Sequence, residues 1–186
     1  AVDKGLKLTI EKSPDLPKFA FADEGKLRQI LINLLGNALK FTDTGGVSVQ
    51  ARLATRAEAA GITREPEANG FWLSFSVQDS GIGISPEDLE CLFEPFFQAT
   101  TSHPTHPGTG LGLTISRQYV HLMGGKMYVR SVLGQGSTFS FVIPIRSTAQ
   151  GESSAASALS APGTDPALLE EYGAEGRITE KPTSPV

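Results

Sequence analysis

The chain has 186 residues, of which 39% are hydrophobic, enough for one core of ordinary domain size. Its 16 basic and 20 acidic residues give a net charge of −4, and no Lys/Arg-rich run could follow a nucleic-acid backbone or bind an anionic membrane. The single cysteine, Cys91, excludes an intramolecular disulfide, and with 3 histidines no zinc-type Cys/His spacing occurs, so a reducing cytoplasmic setting is expected.

The first half of the chain predicts two short strands, a long helix and a strand pair. The short strands are expected at Gly5–Ile10 and Phe19–Ala22, after which Asp23 caps a helix that runs to about Phe41. Alternating apolar residues predict strands over 47–53 and 71–77, and the polar segment between them is predicted to be a surface loop rather than a site. The helix repeats apolar residues at its buried face: Leu27, Ile30, Leu31, Leu34 and Ala38.

The second half predicts another long helix and a hairpin. The helix covers Leu111–Met123 and stops at the following glycine pair. Strands at Lys126–Ser131 and Ser137–Ile145 are expected to pair around residues 134–136. Strands in hairpins with helices between them predict the α+β class: a two-layer α/β sandwich whose mixed, mostly antiparallel sheet carries helices on one face.

The composition changes near residue 147, which predicts a folded domain over 1–146 and a linker or disordered tail, rich in Ala, Ser, Pro and Gly, over 147–186. Residues 165–172 of that tail have the pattern of a short helix, although a transient turn is the preferred interpretation. No apolar stretch approaches the roughly 20 residues that span a bilayer, so no direct membrane contact is expected. The chain begins with neither an initiator methionine nor a signal peptide, and we interpret it as a fragment of a longer protein.

Three polar residues share one stripe of the first helix. Asn33, Asn37 and Lys40 are spaced i, i+4 and i+7, beside the apolar face. An asparagine carbonyl is a suitable oxygen ligand for Mg²⁺, and a lysine one turn later can meet a phosphate. A solvated helix face is the alternative interpretation, weakened because asparagine is a mediocre helix former.

A second polar cluster, Asp-Ser-Gly-Ile-Gly at 79–83, follows the strand that ends at Val77. The strand would aim the Asp79 carboxylate, which could accept a hydrogen bond from the exocyclic amine of adenine. Gly81 and Gly83 would let a ligand approach the backbone closely. A plain turn is the competing interpretation of this motif taken alone.

Glycines alternate through the segment that leads into the second helix, Gly108-Thr109-Gly110-Leu111-Gly112. Free backbone N–H groups and the positive end of the helix dipole make such a junction a phosphate site. Neither a Walker P-loop nor a dinucleotide fingerprint explains these glycines, because the required flanking residues and preceding strand are missing.

A phenylalanine-rich segment lies between the two glycine clusters, at 92–97, followed by a stretch rich in Thr, His and Pro. We predict that an aromatic anchor, with Phe93 as the candidate nucleotide-binding residue, stands beside a lid over 99–107 that is mobile without nucleotide. Ordinary core packing is the alternative for these phenylalanines.

In this order the segments resemble the catalytic ATP-binding domain of sensor histidine kinases, in the superfamily that also holds the ATPase domains of DNA gyrase and MutL. The resemblance covers about residues 5–145 and implies that superfamily's histidine-kinase-like ATPase fold. It rests on segments similar to the family's N box, first glycine box, F box, second glycine box and last glycine box, at 31–42, 79–83, 92–97, 108–113 and 134–139.

The resemblance implies ATP and Mg²⁺ as cofactors and a role for each matching residue. Asn37 would hold Mg²⁺, Asn33 would support the metal or a phosphate, and Lys40 would contact phosphate. The adenine would meet Phe41, Asp79 and either Ser137 or Thr138, with Gly81 and Gly83 giving close approach. The second glycine box would hinge the lid and donate amides to the phosphates, through Gly108, Thr109, Gly110, Leu111 and Gly112.

The resemblance also implies transfer of the γ-phosphate to a histidine on a separate dimerisation domain, in two-component signal transduction with a response-regulator receiver domain as a further partner. Asn33 stands where the hydrolysing relatives carry a glutamate, and an amide cannot act as a general base, which favours transfer over hydrolysis. No segment resembles the phosphoacceptor hairpin. The isolated chain is expected to be monomeric, and the full-length protein is expected to be a homodimer located in the cytoplasm. Whether the full-length protein has a membrane anchor, or a receiver domain as in hybrid kinases, is left open.

Two other functions stay open from sequence alone. The first is a non-catalytic interaction module that senses ATP, which intact Asn37, Asp79 and glycine boxes argue against. The second is a gyrase-like or MutL-like ATPase, which predicts a glutamate at position 33 and a following transducer domain.

Overall fold

The computed structural model describes residues 4–62, 64–67, 70–98 and 109–147. The predicted lid at 99–107 and the predicted helix at 165–172 lie outside these residues. Among the helices that are described, none is both long and apolar enough to cross a bilayer.

Strands and helices occur at the places that the sequence predicts, with bounds that agree within two residues. The exception is the short helix α2, which the sequence analysis did not predict. In chain order the elements are β1 Lys7–Lys12, β2 Ala20–Phe21, α1 Glu24–Phe41, β3 Gly46–Leu53, β4 Phe71–Asp79, α2 Pro86–Cys91, α3 Gly112–Leu122, β5 Lys126–Val132 and β6 Gly136–Ser147.

The strands form one six-stranded sheet in the order β1-β3-β4-β6-β2, with β5 also paired to β6. Only β1 and β3 run parallel among the described pairs, so the predicted mixed, mostly antiparallel sheet is confirmed. Val47 lies opposite Asp79, and Gln78 lies opposite Thr138. This register brings the end of β4 and the start of β6 to the same edge of the sheet.

The core lies between one face of this sheet and the helices α1 and α3, which pack against each other. Leu34 of α1, Val120 of α3 and Phe141 of β6 are almost fully buried there. Phe75 stacks on Phe141 with ring centroids 5.1 Å apart. Removing this apolar surface from water drives the layers together, and the predicted α+β sandwich is confirmed.

Local signals set the ends of the two long helices. The Asp23 side chain accepts a hydrogen bond from the Lys26 N–H at 3.0 Å, which confirms the predicted cap of α1. At the end of α3, Gly124 has a φ of 78°, and the Gly125 N–H donates to the Val120 carbonyl at 2.8 Å. This arrangement is a Schellman ending, for which glycine is the favoured residue.

The opposite face of the sheet is partly covered by the connection after β3. Glu58 in that connection pairs with Arg52 of β3, and its carbonyl accepts a hydrogen bond from the Tyr128 hydroxyl at 2.9 Å. The Arg52 hydrogen bonds hold the pKa of Glu58 at about 2, below its ordinary 4.5, against the opposing effect of burial. Ala59 and Val142 are buried. The predicted surface loop therefore also packs, because it covers apolar surface that the helices leave exposed.

Candidate functional site

The strand β4 ends at a buried carboxylate. Asp79 is 8% exposed, and its Oδ1 accepts hydrogen bonds from the Gly81 N–H at 2.9 Å and the Ser137 N–H at 3.3 Å. Burial raises the pKa of Asp79, and the two N–H donors partly oppose that rise. Within the described residues nothing donates to Oδ2. One oxygen is thus held by the protein, and the other is left to accept a hydrogen bond from a ligand.

A serine that the sequence analysis missed supports this carboxylate indirectly. The Ser131 Oγ accepts from the Ile84 N–H at 2.8 Å and donates to the Gly136 carbonyl at 3.0 Å. Its single hydrogen is then used, so the Ser137 hydroxyl, 2.9 Å away, is the donor to Ser131. Ser131 therefore fixes the rotamer of Ser137 beside Asp79. The sequence carries no signal for it beyond its place in a predicted strand.

The glycines after Asp79 are required by the protein's own backbone. A Cβ at Gly81 would overlap the Phe41 carbonyl oxygen, and one at Gly83, which has a φ of 70°, would overlap the Val132 carbonyl. Close approach of a ligand was the predicted reason for these glycines. The structure adds a second reason, because protein backbone already occupies the space that each side chain would need. Close approach of a ligand stays a prediction.

Of the two predicted residues on the far side of the adenine, only one shares a face with Asp79. Thr138 pairs with Gln78, the residue before Asp79, and successive side chains along a strand point to opposite faces. Ser137 is buried on the Asp79 side, where its N–H contacts the carboxylate. Thr138 therefore points to the other face of the sheet, and that half of the prediction is wrong.

The C-terminal end of α1 lies next to the Asp79 motif. The Ile82 N–H donates to the Phe41 carbonyl at 3.2 Å. The Lys40 ammonium lies 4.8 Å from the centroid of the Phe41 ring, a cation–π distance. Both side chains are half-buried, so an aromatic surface and a positive charge stand together at this end of the site.

The middle of α1 is tied to the start of α3 by Asn33. Its Nδ2 donates to the Gly112 carbonyl at 3.1 Å and to the Ser116 Oγ at 3.2 Å, and its Oδ1 accepts from Gln29. The structure thus gives Asn33 a role in joining two helices, and its support of metal or phosphate stays a prediction. Asn37, one turn later, makes no side-chain hydrogen bond to any described residue, so its carbonyl is the one available to a ligand.

The N-terminus of α3 has no side-chain cap. Its first N–H groups therefore lack the partner that a capping residue would supply. A Cβ at Gly112 would lie 3.7 Å from the nearest Asn33 atom, an ordinary contact distance, whereas one at Gly110 would collide with the Phe96 backbone. Gly110 is thus needed for packing, and Gly112 leaves room at the helix start. Gly108 lies outside the described residues.

Phe93 packs toward α3. Its carbonyl accepts from the Thr114 hydroxyl at 3.1 Å, and the Arg117 guanidinium lies 5.1 Å from its ring centroid. The exposed Thr109 accepts a hydrogen bond from the Leu111 N–H at 3.4 Å. The structure thus brings Phe93 and the second glycine box to the same helix, while their contact with nucleotide stays a prediction.

Helix α1 links the two ends of this site. Its middle contacts the start of α3 through Asn33, and its last residue, Phe41, contacts the motif after Asp79. Eight residues of α-helix correspond to a rise of about 12 Å, the scale of an extended nucleoside triphosphate. A base at Asp79 and phosphates near α3 would therefore lie along one helix.

The oxygen donors of this site suit a Mg²⁺ ion that is bound mainly by water and substrate phosphates. Among the described residues there is no group of three or more His, Cys, Asp or Glu side chains that could hold a metal ion. Mg²⁺ is commonly bound by one or two protein oxygens, with water and substrate phosphates completing its shell. The amide of Asn37, which no described residue bonds, fits that mode of binding.

Comparison with known proteins gives consistent matches. Residues 22–147 match the family described as histidine kinase-, DNA gyrase B- and HSP90-like ATPase. The chain is 39% identical over 158 residues to Histidine kinase 5 of Arabidopsis thaliana, covering 78% of this chain and 17% of that protein. It is 40% identical over 152 residues to the aerobic respiration control sensor protein ArcB of Escherichia coli K12, covering 81% and 18% respectively.

Solved structures show the same similarity. Full-length ShkA, solved in complex with AMPPNP, is 38% identical with a TM-score of 0.63, over 79% of this chain and 27% of that one. The mycobacterial sensor histidine kinase MprB is 26% identical with a TM-score of 0.56, over 76% and 84% respectively. The chain spans less than a fifth of the curated relatives above, so their whole activities do not transfer directly.

Proposed function

Because the chain belongs to the histidine kinase-, DNA gyrase B- and HSP90-like ATPase family, we propose that it binds Mg-ATP and donates the γ-phosphate to a histidine on a separate dimerisation domain. Its relatives include histidine kinases and a respiration-control sensor. The bound AMPPNP of the similar ShkA structure is an ATP analogue, which supports ATP as the nucleotide.

The observation that carries the proposal is the half-satisfied carboxylate of Asp79. Its Oδ1 is held by the Gly81 and Ser137 N–H groups, which orient Oδ2 as the remaining acceptor. The 6-amino group of adenine is a donor and matches this acceptor, whereas the 6-oxo group of guanine would oppose it. The Phe41 carbonyl is bonded to Ile82 in the motif after Asp79, and the Phe41 ring would supply an apolar surface for the base.

The phosphates are proposed to lie toward α3. The uncapped helix start favours anionic oxygens through its N–H groups and its dipole, and Lys40 adds a positive charge. Asn37 would hold Mg²⁺, which when bound neutralises charge on the phosphate oxygens. Because Lys40 lies at the cation–π distance from Phe41, it would meet the phosphates at the end nearest the base.

Phosphoryl transfer needs mostly positioning and charge neutralisation, so this chain requires few acid–base groups. Asn33 is an amide with three hydrogen bonds to protein groups, and it cannot take a proton from water at neutral pH. The site as built can bind and orient ATP without activating water. That property favours donation to a protein acceptor over hydrolysis.

The partners belong to the same proposal. The acceptor is the histidine-containing dimerisation domain of the same kinase, which forms the homodimer, and a response-regulator receiver domain takes the phosphoryl group next. The chain is also 38% identical over 143 residues to hybrid signal transduction histidine kinase B of Dictyostelium discoideum, covering 76% of this chain and 7% of that protein, and this similarity supports the route. We place the domain in the cytoplasm, consistent with its single free cysteine.

Calorimetric titration of the chain with ATP and with GTP, each with and without Mg²⁺, tests the nucleotide part. ATP is expected to bind with an affinity that rises when Mg²⁺ is added. GTP is expected to bind at least about tenfold more weakly, because the 6-oxo group of guanine would face the Asp79 oxygen, acceptor against acceptor. Equal affinities for the two nucleotides would remove Asp79 as the selecting group.

A further inference from the structure

The end of α1 that carries Lys40 and Phe41 lacks the usual helix-ending devices. Thr42, the C-cap residue, is extended with a φ of −111° and a ψ of 120°, and the left-handed glycine of a Schellman ending is absent at this terminus. A helix leaves its last carbonyl groups without partners inside the helix. Other parts of the protein must therefore supply donors here.

The donors come from two segments far away in sequence. The Ile82 N–H, after β4, donates to the Phe41 carbonyl. The Lys4 ammonium, just before β1, lies 3.2 Å from each of the Leu39, Lys40 and Thr42 carbonyl oxygens. Lys4 and Ile82 together thus account for four consecutive carbonyls, from Leu39 to Thr42.

The charge of Lys4 also matters. An ammonium at a helix C-terminus faces the negative end of the helix dipole, which adds to its hydrogen bonds. Lys4 also meets the Asp43 carboxylate at 3.2 Å, but the Asp43 side chain is 68% exposed, so this ion pair is screened by water. The carbonyl contacts are therefore the main interaction of the ammonium.

We propose that Lys4 is a positioning residue for the nucleotide site. Its ammonium fixes the last turn of α1, and through that turn it sets the Phe41 ring and the Lys40 side chain. Nothing in the motifs of the family assigns a role to this position, which precedes the first strand. The inference rests on the proposed function, since Lys40 and Phe41 act on a nucleotide only if ATP binds here.

A consequence follows for the segment that enters the sheet. Lys4 lies three residues before β1, and β1 pairs with β3 from Lys7 onward. A shift of the chain just before β1 would withdraw the ammonium from α1 while leaving the strand paired. The end of α1 is therefore sensitive to the position of the entering chain.

Variants of the full 186-residue chain test this role. Lys4→Met keeps most of the length of the side chain and removes the charge, and Lys4→Arg keeps a positive charge and N–H donors. Lys12→Met, on an exposed lysine of β1 with no side-chain partner among the described residues, controls for lost surface charge. Ile143→Val, in the core, controls for a general loss of stability.

Two quantities are measured in each variant: the Kd of ATP with Mg²⁺, and the hydrogen exchange of the last turn of α1. We expect Lys4→Met to raise the Kd about three- to tenfold and to speed exchange in that turn, with Lys4→Arg recovering at least half of the affinity. Both controls are expected to leave the Kd unchanged.

The results separate two kinds of failure. Faster exchange in Lys4→Met with an unchanged Kd would show a purely structural cap and overturn the positioning role. An equal loss of affinity in Ile143→Val would also overturn it. No ATP binding by the unsubstituted chain would contradict the proposed function itself, and the exchange data would then show whether the cap exists without it.

Discussion

The Asp79 carboxylate accepts a hydrogen bond from the N–H of Ser137, a residue 58 positions later, at 3.3 Å. This contact joins the end of β4 to the start of β6 and fixes which oxygen of Asp79 remains open. Adenine selection depends on that open oxygen. Substitutions at Asp79 and in α1 test whether that oxygen and the nearby helix groups bind the nucleotide.

Asp79→Asn is expected to weaken ATP binding strongly. The amide oxygen would replace Oδ1 against the Gly81 and Ser137 N–H groups, so its NH₂ would face the adenine amine, donor against donor. Loss of a hydrogen bond to a charged group predicts an affinity about 10- to 150-fold weaker. Stability should change little, because burial already disfavours the charged form of Asp79. Calorimetry measures the ATP affinity and thermal melts measure the stability, and Asp15→Asn, at an exposed aspartate, is the control.

The two asparagines of α1 are expected to respond differently to alanine. Asn37→Ala should abolish the Mg²⁺ dependence of ATP affinity and leave the melting temperature unchanged, because no described residue bonds to the Asn37 side chain. Asn33→Ala should keep that dependence and lose about 1 kcal/mol of stability with its bonds to Gly112 and Ser116. A retained Mg²⁺ effect in Asn37→Ala would remove the metal assignment.

Alanine substitutions at Gly134 and Gly83, which both have a positive φ, distinguish the cost of a steric overlap from the cost of the left-handed conformation. Gly134→Ala meets nothing within 4 Å and should cost only the left-handed conformation, about 1–2 kcal/mol. Gly83→Ala has the same kind of φ and would also overlap the Val132 carbonyl, so its cost should be at least about 2 kcal/mol larger. Urea unfolding measures both variants. Similar costs would contradict the view that backbone packing requires Gly83.

The pairing of Glu58 with Arg52 predicts acid sensitivity of the covering segment. The pKa of Glu58 is lowered from 4.5 to about 2, so its stabilisation is present above pH 4.5 and is lost as the pH falls from 4.5 toward 2. Glu58→Gln should remove this part of the pH dependence, whereas exposed Glu24→Gln should retain it. Thermal melts of the three proteins across this range measure the effect, and identical curves for Glu58→Gln and the unsubstituted chain would disprove it.

The sequence predicted the fold closely because its signals are local and mutually consistent. Helical spacing from Leu27 to Ala38, the cap at Asp23 and the stop at Gly124 each depend on neighbouring residues only. Helix α2 was missed because a run from Pro86 to Cys91 is too short for a periodic pattern. Its Ser85 cap, which accepts from the Asp88 N–H, was the available signal.

The sequence predicted which residues belong to the site, but not which face or which hydrogen-bond partners each of them has. The face of Thr138 depends on strand register, and the partners of Asn33 depend on how α1 meets α3, neither of which is a local property. The roles of Ser131 and Lys4 arise from contacts with distant backbone. Such contacts leave no motif in the sequence, because any serine or lysine at the right place in the fold would make them.

The central claim is that this chain donates phosphate to a histidine outside itself. The direct measurement supplies γ-labelled ATP and Mg²⁺ to the chain together with a separately produced dimerisation domain of the same kinase. We expect acid-labile label on that domain, lost when its acceptor histidine is replaced and reduced by Asn37→Ala in this chain. Tight ATP binding with no label on the histidine domain would contradict phosphotransfer and leave an ATP-sensing module instead.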